Sequence, residues 1–253
     1  MTCLRACRAI RAPALHEVPA HRRVYQRPER FARAAAQHLV GAIERAVAAR
    51  GRCAIALSGG HTPRPIYQKL AEPPLTMRVP WQSLDVYFGD ERALRPDDPN
   101  SNYRMAADAL LNHVPIHRAC VHRIEAERSD IERAARDYEQ LLPERLDVLL
   151  LGVGADGHTA SLFPGSSALG ERRRRVVTVA GPLPFPVRVT ITPPVIEAAR
   201  EVVVLAAGRE KAQVIRAALG ELGSPEALPI RLALSATWFL TADAAAVWRK
   251  GEA

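Results

Sequence analysis

An imidazole with a carboxylate close by is a minimal side-chain set for taking a proton from water. The stretch DVLLLGVGADGHTASLFPG, residues 147–165, carries such a pair in Asp156 and His158. An unbroken apolar run leads into it, and Gly152, Gly154 and Gly157 leave room beside the backbone. A lone histidine is most often a packed or surface residue. Here its place after a buried run, among small residues and near a carboxylate, favours general-base chemistry. A metal site is the weaker reading of Asp-x-His, because no third ligand follows at a recognisable spacing.

Two other apolar runs end in chemistry-bearing loops. CAIAL (53–57) is followed by Ser58, Gly59, Gly60, His61, Thr62 and Pro63. The glycines allow a tight turn, and Thr62 as N-cap with Pro63 at the first helical position would open a helix. Free N–H groups at such a start suit a phosphate; an ordinary strand-to-helix turn is an equally open reading. SLDVYF (83–88) leads into Gly89, Asp90, Glu91 and Arg92, then ALRPDDPNSNYRM. Acids at a strand end can serve as acid or base, or hold a sugar hydroxyl, and they can equally belong to a solvated loop. The long polar segment up to Ser101 and Asn102 reads as a flap over a site.

The elements that must position these loops alternate between helix and strand. Phe31, Ala35, Leu39, Ile43 and Val47 recur every four residues, which predicts an amphipathic helix ending at Gly51. CAIAL, SLDVYF, DVLLLG (147–152), VRVTIT (187–192) and EVVVLA (201–206) read as strands. Helices are expected over Asn102–Leu111 and Ile131–Leu142, the latter with a capping box of Ser129 and Glu132. Apolar strands separated by helices predict an α/β protein: a Rossmann-like layered fold with a mostly parallel central sheet covered by helices on both faces. Ligands of such sheets bind at the carboxyl ends of the strands, where all three loops fall.

Composition limits the function classes. At 253 residues the chain can bury one sizeable core, and no apolar run approaches the ~20 residues that span a bilayer, so no membrane association is expected. Cys3, Cys7, Cys53 and Cys120 form no CxxC pair and read as reduced thiols of a cytoplasmic protein. The net charge of +8 is local: residues 1–30 carry +5 and residues 171–175, ERRRR, carry +3. One basic tail and one basic turn without interleaved aromatics read as solvated surface, so no nucleic-acid partner is expected. Residues 1–21 are expected to form a flexible basic extension, and 22–253 a single α/β domain.

Taken together, ALSGGHTPRPIYQKL (56–70), FGDERALRPDDPNSNYRM (88–105), LLLGVGADGHTASLFPG (149–165), RVTITPPVIEAAR (188–200), GREK (208–211) and TWFLTADAA (237–245) resemble the 6-phosphogluconolactonase family. That family lies within the glucosamine-6-phosphate isomerase/deaminase-like superfamily, and the match runs over about residues 22–250. The resemblance implies hydrolysis of 6-phospho-D-glucono-1,5-lactone to 6-phosphogluconate, a step of the oxidative pentose phosphate pathway. It implies His158 as the general base towards water, Asp156 as its orienting partner, and Asp90 as a second acidic position that can hold sugar hydroxyls. Arg92 would neutralise that carboxylate or reach the ligand. Ser58, Gly59, Gly60, His61 and Thr62 would cradle the phosphate, with Arg188 and Lys211 supplying charge. Without the resemblance, Arg188 reads as a surface charge opening a strand and Lys211 as an exposed helix residue. His61 departs from the family turn, Gly-Gly-Ser-Thr-Pro: the backbone donors remain, and the imidazole either bonds the phosphate or crowds it. A lactone is already an activated ester, so neither metal nor organic cofactor is expected, and the partner is a small phosphorylated sugar lactone met by a monomer.

The rivals differ at identifiable places. A sugar-phosphate deaminase/isomerase of the same fold carries a Glu in a pattern like DGHIAFNEPG, where this chain has Phe163, which cannot relay a proton. A non-catalytic sugar-phosphate sensor would be expected to carry a DNA-binding module, and the segment before residue 30 lacks a helix-turn-helix pattern.

Overall fold

The computed structural model describes residues 21–220 and 223–248. In chain order the elements are β1 (Arg22–Tyr25), α1 (Pro28–Arg50), β2 (Cys53–Leu57), α2 (Arg64–Ala71), α3 (Leu75–Arg78), β3 (Leu84–Phe88), β4 (Asp90–Arg92) and α4 (Asn102–Ala109). They continue with α5 (Ile131–Leu141), β5 (Val148–Gly152), β6 (Val176–Ala180), β7 (Val187–Ile191), α6 (Pro193–Ala198), β8 (Glu201–Ala206), α7 (Ala212–Leu219) and β9 (Thr237–Thr241).

Six strands form a parallel sheet in the order β1, β9, β8, β5, β2, β3. Successive residues of a strand point to opposite faces, and both members of the pairs Leu149–Leu150 and Val203–Val204 are fully buried. Both faces of this sheet are therefore covered. The α1 helix supplies part of that cover through Phe31, Ala35, Leu39 and Ile43, and ends at Gly51 in the left-handed conformation. Each fully buried leucine or valine contributes roughly 1.5–3 kcal/mol, which makes this sheet and its helices a rigid base for the loops.

One expected member of the parallel sheet lies elsewhere. VRVTI is β7, the middle strand of a separate antiparallel sheet ordered β4, β7, β6. An apolar run marks a strand as buried without specifying its partner, and here the partner β4 is the GDER segment, read above as loop. Two helix starts also shift. Pro63, not Thr62, occupies the N-cap of α2, with no side-chain cap; its carbonyl accepts from the N–H groups of Ile66 and Tyr67. Asp130, not Ser129, caps α5, accepting from Arg133 N at 2.8 Å. The α4 helix ends at Ala109 and passes into a single 3₁₀ turn, Leu111–His113.

The Glu171–Arg175 run is only partly the solvated turn expected. Arg172 and Arg173 are exposed, but Arg174 pairs with Glu139 at 2.7 Å and Arg175 donates to the Pro143 carbonyl. Residues 1–20 of the expected N-terminal extension lie outside the described residues, as do Cys3 and Cys7. Cys53 is buried, and burial pushes its thiol up to about 12, far from nucleophilic use. Among the described residues, no helix is long and apolar enough to cross a membrane.

Candidate active site

Because the six strands are parallel, the loops after β2, β5 and β8 leave the sheet on one edge, and β4 follows β3 there after Gly89 alone. Those loops, β4 and β7 enclose a cleft of about 290 Å³. Ser58, Gly59, Gly60, His61, Thr62, Asp90, Arg92, His158, Arg188 and Lys211 all line it. Asp156 is outside the lining and reaches the cleft through His158. A larger cavity, about 620 Å³, opens between α4 and α5 and contains none of these residues.

The histidine is held from one side. Asp156 Oδ1 lies 2.5 Å from His158 Nδ1 and also accepts the His158 backbone N–H at 3.1 Å. The bond to His158 holds the Asp156 carboxyl down to about 2, so it remains an acceptor near neutral pH and Nδ1 must carry the proton. In the neutral imidazole the other ring nitrogen, Nε2, is then the bare one, as a base requires. This packing needs a glycine at 154: a Cβ there would stand 2.0 Å from His158 Nδ1.

Asp90 is 7% exposed and already engaged. Ser161 Oγ donates to its Oδ2 at 2.6 Å and Asn102 Nδ2 to its Oδ1 at 3.0 Å. The same Asn102 nitrogen donates to the Asp90 carbonyl, which fixes the amide with Oδ1 turned towards Gly59, where a Cβ would come within 1.8 Å of it. Beneath, Glu91 accepts from Ser101 Oγ and from the N–H groups of Arg92, Asn102 and Tyr103, so it ties β4 to the start of α4. Burial pushes the Glu91 carboxyl up, against these donors.

The cationic side comes from the small sheet. Arg92 and Arg188 are directly paired across β4 and β7. Facing like charges cost stability unless an anion joins them. Arg188 is not the surface charge that sequence alone suggests: it is 8% exposed, and burial together with Arg92 pulls its guanidinium below the ordinary value. Its Nε donates to the Phe185 carbonyl at 3.2 Å. Lys211 is half-buried in the turn before α7 and lines the same cleft, beside Glu210. On the neutral side, Pro63 and Pro65 lack N–H groups, so the donors near α2 belong to the Gly59–Thr62 turn more than to the helix start.

Residue-level reading of the sequence missed Asn102, Ser161 and Glu210. Asn102 had a usable signal, the SN pair opening a helix after the acidic loop; nothing local marks Ser161 as the partner of a carboxylate 71 residues away.

A histidine–aspartate pair thus stands beside a cleft at the carboxyl edge of a parallel sheet, the edge at which α/β proteins bind their ligands. The chain belongs to the family of glucosamine-6-phosphate isomerases/6-phosphogluconolactonase, which matches residues 26–241. It is 41% identical over 223 residues to the 6-phosphogluconolactonase of Streptomyces coelicolor, covering 81% of this chain and 85% of that one. With the 6-phosphogluconolactonase of Synechocystis sp. it shares 43% identity over 199 residues, 74% of this chain and 78% of the other. Among solved structures, the 6-phosphogluconolactonase of Trypanosoma brucei superposes with a TM-score of 0.80 at 29% identity, over 90% of this chain and 98% of that one. A monomeric glucosamine-6-phosphate deaminase gives 0.77 at 26% identity, over 89% and 99%. The fold is thus common to both chemistries, and the site must separate them.

Proposed function

We propose that the cleft hydrolyses 6-phospho-D-glucono-1,5-lactone to 6-phosphogluconate, the lactonase step of the oxidative pentose phosphate pathway. The observation that carries this reading is the His158–Asp156 pair with the Phe163 ring, not a carboxylate, against the imidazole, centroids 4.8 Å apart. A deaminase needs an acid there to move a proton during ring opening. Water attack on a lactone needs only a base.

In this mechanism His158 Nε2 takes a proton from a water as its oxygen attacks the lactone carbonyl carbon. Asp156 keeps the imidazole in the required tautomer and stabilises the imidazolium that forms. As the tetrahedral intermediate collapses, the bond to the ring oxygen breaks and that oxygen recovers the proton from His158. No electrons are transferred and no group other than water is added, so the chemistry calls for no metal or organic cofactor. Asp90, with lone pairs left beyond its two protein donors, accepts from a sugar hydroxyl. The phosphate sits between Arg188, Arg92 and Lys211 and the turn of Ser58, Gly59, Gly60, His61 and Thr62, where backbone N–H groups add to the charge. The same reading takes the protein as a cytoplasmic monomer whose catalytic domain spans 22–253.

The test is the rate at which the purified protein opens fresh 6-phosphoglucono-δ-lactone above spontaneous hydrolysis, with the unphosphorylated lactone alongside. Rapid opening of the phosphorylated lactone with weak action on the other supports both halves of the site; no acceleration of either overturns the reading.

A further inference from the structure

Phe163 stands where two functions of the site meet. Its ring contacts the His158 imidazole at 4.8 Å between centroids, tilted by 49°, and the Arg188 guanidinium carbon lies 5.4 Å from the same ring's centroid. Phe163 is not among the residues lining the cleft; it stands behind His158 and Arg188, which are.

The chain that carries the ring is firmly placed, while the ring itself is part-exposed. Its neighbours Ser161 and Leu162 are fully buried. Ser161 bonds Asp90 through Oγ, and its N–H donates to Thr190 Oγ1 on β7 at 3.1 Å. The Phe163 carbonyl accepts from Ser166 N at 3.0 Å. The turn carrying the ring is thus pinned to both strands that bear the arginines.

Arg188 uses Nε on the Phe185 carbonyl, and its terminal nitrogens make no other hydrogen bond to the described residues. A guanidinium held over an aromatic ring has its plane restricted, so the terminal nitrogens keep one direction for an anion. The same ring limits how far the imidazole can rotate about its bond to Asp156. We propose that Phe163 is a positioning residue that couples the base to the anion site: one ring sets the geometry between His158 Nε2 and the Arg188 fork. This rests on the lactonase reading for the identity of the substrate. It adds that the phosphate anchor and the attacking water are aligned through one side chain set against both His158 and Arg188.

The experiment compares Phe163→Ala, Phe163→Leu and Phe163→Tyr with the parent on the phosphorylated and unphosphorylated lactones, with 6-phosphogluconate affinity measured separately by calorimetry. Phe163→Ala frees both partners. It is expected to lower kcat about tenfold on both lactones, and to raise KM about fivefold only for the phosphorylated one. Phe163→Leu fills the space without a π face, so kcat stays within about threefold while KM for the phosphorylated lactone and the Kd of 6-phosphogluconate rise by about fivefold. Phe163→Tyr restores both. Parental parameters in Phe163→Ala overturn the proposal, as does a loss that is equal on both lactones with unchanged 6-phosphogluconate affinity, because that is the mark of general loosening. A parent that opens neither lactone overturns the functional reading instead; calorimetry then still decides whether Phe163 orients the anion site.

Discussion

Arg92 and Arg188 face each other as a directly opposed pair across β4 and β7, at the rim of the cleft that holds His158. Two guanidiniums so placed repel each other, and a doubly charged anion between them offsets that repulsion. Arg188→Ala is expected to raise KM for the phosphorylated lactone by roughly tenfold to a hundredfold with a smaller change in kcat, the loss of one or two charge-assisted hydrogen bonds. Inorganic phosphate should raise the Tm of the parent and not of this variant. Steady-state kinetics and thermal melts check both.

Removing the His158 imidazole alone should leave the fold intact. His158 is part-exposed at the edge of the sheet, and its ring fills no core position. His158→Ala is expected to lose roughly 10²- to 10⁴-fold in kcat at an unchanged circular dichroism spectrum. Turnover near the parental rate would remove His158 from the mechanism.

The Asp156 carboxyl, held down to about 2 chiefly by its bond to His158, gives a pH prediction with a definite sign. A depressed carboxyl stabilises the folded state above its unfolded value of roughly 3.9, and that contribution is lost as pH falls through about 2. Asp156→Asn should therefore flatten the fall in Tm between about pH 4 and pH 2. Between pH 5 and pH 8 Asp156 does not titrate, so any acid limb of kcat/KM there belongs to another group. In that range Asp156→Asn is expected to lower kcat on the order of a hundredfold through loss of the tautomer, without removing the limb. A pH titration of Tm and of kcat/KM in both proteins decides it.

Gly154 has to lack a side chain, because a methyl would stand 2.0 Å from His158 Nδ1. Gly154→Ala is expected to push the imidazole off Asp156 and lower kcat by about a hundredfold, with KM for the phosphorylated lactone little changed. Kinetics on the purified variant tests this; a KM effect larger than the kcat effect would place the disturbance at the phosphate turn instead.

Glu91 carries the stability of the acidic loop. Its side chain is buried and accepts four protein donors, among them the N–H groups of Asn102 and Tyr103 at 2.8 Å each. Glu91→Ala strands these donors and is expected to destabilise the fold by about 3 kcal/mol, measured by urea unfolding.

Much of this was legible in the chain itself. The runs CAIAL, VLLLG and EVVVLA are short, mostly apolar and rich in aliphatic residues, the pattern of strands buried on both faces, and parallel strands send their following loops to one edge. Residue order alone therefore determined that the SGGHT turn, the GDER segment and the DGH loop would converge, and the spacing of Asp156 and His158 determined their pairing. The tertiary structure decided what depends on partners distant in sequence. VRVTI reads with the central strands, yet lies in the antiparallel sheet, since a strand-forming run does not name its neighbour. Only that sheet's register sets Arg92 against Arg188. Only the docking of the 159–163 turn against β4 and β7 brings Ser161 to Asp90 and lays one phenylalanine ring against both imidazole and guanidinium. Periodicity and turn chemistry act over a few residues. Cross-sheet contacts are selected by the packing of whole elements, which no local pattern encodes.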